Sequence, residues 1–151
     1  MSIDFHDDGT ITITLADGDV KLARPTFGQY RQLRNAWREA AEQIAVKAAP
    51  LHRRGTDLRD RMETARERDD DETADRLAAE DRKAGGEFTD WQEQQVAGWL
   101  TQAIALLSDR DDVDPEGLPA AAANVTLPGQ MVDWWKTVPL APGRTRPTAT
   151  G

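Results

Sequence analysis

Cysteine is absent from this chain, which removes disulfides, thiol nucleophiles and zinc–thiolate centres together. Histidine occurs twice, at His6 and His52, and neither stands at a catalytic spacing from a nucleophile or an orienting carboxylate. There is no phosphate-binding glycine loop, dinucleotide fingerprint or GxSxG elbow. No apolar run approaches the roughly 20 residues that span a bilayer, and residues 1–10 lack the basic and apolar pattern of a secretion signal. Basic charge is in deficit: 27 acidic against 19 basic residues give a formal charge of −8, the opposite of the basic face that phosphate contacts need. The expectation is a soluble cytoplasmic protein that is not an enzyme, holds no cofactor or metal, and engages neither nucleic acid nor membrane.

What is present reads as mainly α with a small N-terminal antiparallel β-meander, an α+β chain with a helical bundle core. The 151 residues and five Trp suffice for one domain, expected over residues 1–140 with the meander in 1–24 and the helices in 25–138. Short strands at residues 3–5, 10–15 and 19–22 are separated by the turn pairs Asp8-Gly9 and Asp17-Gly18. Alternation puts Ile11, Ile13 and Leu15 on one face, so the meander should lie half-buried on the helices.

Thr26 and Gln29 have the spacing of a capping box. From there Tyr30, Leu33, Trp37, Ala40, Ala41, Ile44 and Ala48 recur at steps of three and four, the period of one buried helical face. Pro50 is expected to stop this helix and residues 51–55 to form a loop. Residues 56–83 then read as a charged helix or helical hairpin arm with a weak stripe that lapses at Asp69 to Glu72. Residues 51–86 carry nine basic and eleven acidic side chains, a nearly balanced, salt-laced surface that solvates the segment or packs on a partner. Gly85-Gly86 is expected to break the chain. Thr89 and Gln92 repeat the capping spacing and open a second stripe of Trp91, Val96, Trp99, Leu100, Ala103, Ile104 and Leu107, which should lie against the first.

Asp112, Asp114, Glu116 and Gly117 imitate the opening of a calcium loop, but Ala123 stands where the closing Glu belongs and Pro115 interrupts it. Residues 109–116 are therefore read as an acidic loop without calcium, followed at 118–124 by a short helical turn at best. Leu127-Pro128 opens a last helix whose Met131, Trp134, Trp135 and Val138 share one face. Pro139 ends it by disfavouring helix at Val138. Residues 141–151, rich in Pro, Gly and Thr, read as a flexible tail.

Two stretches carry a family resemblance. The hairpin running into Leu22-Ala23-Arg24-Pro25-Thr26 and on to Tyr30, and the closing residues from Trp134-Trp135-Lys136-Thr137 through Val138-Pro139-Leu140-Ala141-Pro142-Gly143, resemble tail assembly chaperones of long-tailed phages of actinobacteria. Together they cover about a third of the chain. The resemblance implies a non-catalytic helical protein in the host cytoplasm that binds the tape-measure protein, or another tail component, and keeps it soluble during tail assembly. Trp134, Trp135, Val138 and Leu140 are the candidate partner-binding residues, although two large rings on one stripe favour docking in the groove between the two long helices over an exposed patch; the resemblance leaves a homo-oligomer open and is compatible with a frameshifted longer form. The alternative is a structural virion protein, such as a head-to-tail connector or tail completion component, which would stay in the particle.

Overall fold

The structure is a computed structural model that describes residues 2–15, 18–109 and 126–142. Three strands, β1 (Ser2–Phe5), β2 (Ile11–Leu15) and β3 (Gly18–Leu22), form an antiparallel sheet in sequential order. Ile3 pairs with Ile13 and Phe5 with Ile11, while Val20 and Leu22 pair with the same two isoleucines from the other side. Because side chains alternate across a strand, this register gathers every large apolar residue of the sheet on one face. Ile11, Ile13, Val20 and Leu22 on that face are fully buried.

Among the described residues three helices follow: α1 (Phe27–Glu67), α2 (Asp71–Leu107) and α3 (Leu127–Thr137). The fold is thus mainly helical with a small N-terminal antiparallel sheet. The first helix opens on the capping box, with the Thr26 N–H donating to Gln29 Oε1 at 3.0 Å and the Gln29 N–H to Thr26 Oγ1 at 3.2 Å. Contacts divide the chain into two compact units, one of residues 1–39 with 93–151, the other of residues 40–92.

In the first unit the buried face of the sheet joins Tyr30 and Leu33 of α1, Val96 to Leu107 of α2, and Leu127, Met131, Val132 and Trp135 of α3 in one core. The Ala23 N–H donates to the Leu107 carbonyl and the Gln29 side-chain amide to the Leu106 carbonyl, so the start of α1 and the end of α2 are tied at the sheet's exit. In the β1–β2 turn, at the same end of the sheet, Gly9, at φ +90°, is buried; a Cβ there would stand 2.9 Å from Arg24 Cγ and 3.2 Å from Val138 Cγ2. The sequence marks Gly9 only as a turn residue, whereas it is also where α3's exit meets the sheet.

The second unit corrects three expectations. Pro50 lies inside α1, Gly85 and Gly86 lie inside α2, and residues 51–55 are helical. The second capping box does not form either: Thr89 sits within α2 and its hydroxyl donates to the Gly85 carbonyl. The reason lies in the spacing of Ile44, Ala48, Leu51, Gly55, Leu58, Met62 and Ala65, matched on α2 by Ala74, Leu77, Asp81, Ala84, Phe88 and Trp91. Steps of three and four without interruption make two heptad seams. Pairing along a seam outweighs the local cost of about 3 kcal/mol for a helical Pro and about 1 kcal/mol for each Gly. Arg54 and Lys47 flank the seam, the first paired with Glu80 and the second stacked 4.2 Å from the Trp91 ring centre.

The chain reverses instead at residues 68–70, in the acidic run where the stripe lapses. Asp69 adopts φ 55°, its N–H donates to the Arg66 carbonyl and that of Asp70 to the Ala65 carbonyl, the two bonds of a Schellman ending. Asp70 then caps α2, its carboxylate accepting the Thr73 N–H at 3.2 Å. Hydrogen bonding by the Thr73 side chain and backbone holds the Asp70 carboxyl below its ordinary pKa, as Thr10 does for Asp8 in the sheet turn. The expected acidic loop and short turn over 110–125 lie outside the described residues.

Three outcomes are expected. Gly9→Ala should destabilise by about 1–3 kcal/mol, from left-handed backbone strain and the short approach to Arg24, read from the denaturant midpoint. Asp69→Gly should stabilise by up to about 1 kcal/mol, since only glycine takes φ 55° without steric cost. Because Asp70's pKa is lowered on folding, its cap is complete above the ordinary carboxylate pKa and is lost as pH falls through the lowered one. Thr73 amide exchange should accelerate over that window in the native protein and show no such pH step in Asp70→Asn.

Candidate functional site

The last helix is short, and helices of 11 residues are marginal alone, so its position is set by what its rings touch. Pro128 starts it near the N-terminal end, where a missing N–H is harmless. Val138 is extended at φ −114°, ψ 154°, as Pro139 after it requires.

Trp135 has no exposed surface and stacks at a tilt on Trp99, ring centres 6.4 Å apart. Trp99 in turn meets Trp37 edge-on at 6.3 Å, and its indole N–H donates to the Leu33 carbonyl at 2.9 Å. Gly129 faces Trp37: a Cβ there would stand 3.6 Å from Nε1, at ordinary van der Waals contact. Trp134, one residue earlier, is only half-buried and packs edge-on against Phe5 of β1 at 5.8 Å. Together with Gln130, Asp133 and Thr137 these two rings line an open depression of about 470 Å³. Among the described residues the Nε1 atoms of Trp134 and Trp135 are buried without a hydrogen-bond partner, and a buried N–H left unmet costs about 1–3 kcal/mol.

The four residues singled out from the sequence therefore divide. Trp135 belongs to the core and offers a partner nothing as folded. Trp134 shares a surface with Phe5, which sequence reading passed over; the signal was an aromatic closing an exposed strand, on the same face as Ile3. Val138 is half-buried against Gly9, and Leu140 is half-buried against the same core. Beyond them Ala141 forms a parallel bridge with Thr26, its N–H donating to the Pro25 carbonyl at 2.8 Å. Residues 143–151, the rest of the expected tail, lie outside the described residues.

Compared with protein-family models, curated proteins and solved structures, the chain matches none of them.

The other chemistry-bearing residues are dispersed. His6 Nε2 lies 2.9 Å from Thr12 Oγ1 on the polar face of the sheet, and His52 is exposed on α1. Among the described residues no group of three or more His, Cys, Asp or Glu is gathered as metal ligands. No helix among them is long and apolar enough to cross a membrane.

Truncating the two neighbouring rings should have unequal effects on stability. Trp135→Ala is expected to cost about 3–5 kcal/mol, and Trp135→Phe distinctly less, because it keeps much of the packing and deletes an N–H without an acceptor. Trp134→Ala should cost less than Trp135→Ala in urea melts; the reverse order would mean that Trp134 holds α3.

Proposed function

We propose that this protein is a non-catalytic tail assembly chaperone of a long-tailed phage, which binds the tape-measure protein in the host cytoplasm and keeps it soluble until tail-tube subunits enclose it. The main support is the joining of the two stretches that carry the resemblance. Pro25 and Thr26, at the entry to α1, are paired with Ala141, at the end of the closing motif. Immediately before that junction, α3 presents Trp134 beside Phe5 around an open, largely apolar depression. Such a surface accepts one or two apolar side chains of an amphipathic helix, the helix-in-groove mode of recognition. The formal charge of −8 disfavours self-association while a client is held.

In this reading Trp135, Val138 and Leu140 act by fixing α3 and the segment after it, and Phe5 and Trp134 make the contact. Co-expression with a tape-measure protein of the same phage should bring that protein into the soluble fraction. Phe5→Ala with Trp134→Ala should lose most of this effect while circular dichroism and the melting point stay near those of the parent. Stoichiometric recovery of this chain from purified particles would instead make it a structural virion component, because a chaperone leaves the finished tail.

A further inference from the structure

We propose that the 40–92 unit contains a hinge that crosses both of its helices at one level, formed by Pro50 of α1 and Gly85-Gly86 of α2. The register of the pair places these residues together. A Cβ on Gly55 would face Asp81 Oδ1 at 3.5 Å, so five residues back along α1 and five forward along α2 bring Pro50 level with Gly86. Arg54 with Glu80 and Lys47 with Trp91 bracket the same level from either side.

Each residue weakens its helix for a different reason. Proline removes one backbone donor and crowds the carbonyl four residues earlier. Two successive glycines leave the backbone free to take other conformations. Packing does not require those glycines, since a Cβ on either would meet nothing within 4 Å. The seam is thin here as well: Ala48, Leu51 and Ala84 are only half-buried.

Contacts between the helices continue on both sides of this level, more fully buried toward the turn. Leu58, Ala65, Ala74 and Leu77 are buried on the side of the turn. On the other side Phe88 packs on Trp91 at 6.0 Å, under Lys47. Two packed blocks joined through three helix-weakening residues at one level bend there in preference to elsewhere, as helices kink at Pro and Gly. Residues 51–84 then move as a lever about the Pro50 and Gly85-Gly86 level.

The chain has no cysteine, so spin labels can be placed without background. Labels at the exposed sites Gln43→Cys and Arg61→Cys span Pro50 at about 27 Å, taking 1.5 Å of rise per residue, within range of pulsed dipolar spectroscopy. The expected result is a broad distance distribution that narrows in the Pro50→Ala, Gly85→Ala, Gly86→Ala variant. Amide exchange at residues 83–89 should slow about tenfold or more in the same variant, because two glycines and a proline are replaced by the best helix former. A parent distribution already as narrow as the variant's would overturn the proposal, as would a variant distribution as broad as the parent's.

Discussion

The hydrogen bond from the Trp99 indole to the Leu33 carbonyl is the contact on which the first unit depends. It fixes the buried tryptophan of α2 against α1 in a setting where both partners are buried, and where an unmade bond would cost more than a made one contributes. Held in place, the Trp99 ring meets Trp37 edge-on and Trp135 at a tilt. The docking of α3 is therefore an extension of the α1 and α2 contact. A helix too short to persist alone becomes a fixed part of the fold because a ring already immobilised offers it a seat.

That arrangement separates two adjacent tryptophans by role. Successive helical residues differ by about 100° around the axis, so once Trp135 points at Trp99, Trp134 must point toward the sheet's margin, where Phe5 receives it. The surface proposed to meet a client follows from this. It is built on a buried ring rather than on a loop, with Gly9 and Val138 closing the gap between the meander and the segment after α3.

The second unit follows another rule. Its helices are sustained by a heptad seam with small residues at many positions, few of them fully buried, and its turn is built from backbone caps at Asp69 and Asp70. Charge contributes little to stability there: the Arg54–Glu80 pair is about half exposed, and exposed pairs are worth about 0–1 kcal/mol. Helix breakers inside such a pair are tolerated individually, and their shared level gives them mechanical meaning.

Local chemistry alone determined the meander, its apolar face, the capping box at Thr26, the stripe from Val96 to Leu107, and the end of α3 before Pro139. Each of these depends on residues within a few positions of one another, where periodicity and cap spacing act directly. The same local rules misplaced the breaks at Pro50 and Gly85-Gly86, because a helix paired along a heptad seam tolerates losses that would end an isolated one. They also read the acidic run as lost packing, where it is a turn with its own cap. Only the tertiary structure decided that Trp135 is core and Trp134 is surface, that Phe5 belongs to the candidate site, and that Ala141 returns to Pro25. These depend on where the buried face of one element meets another far away in sequence, and periodicity identifies such a face without identifying what covers it.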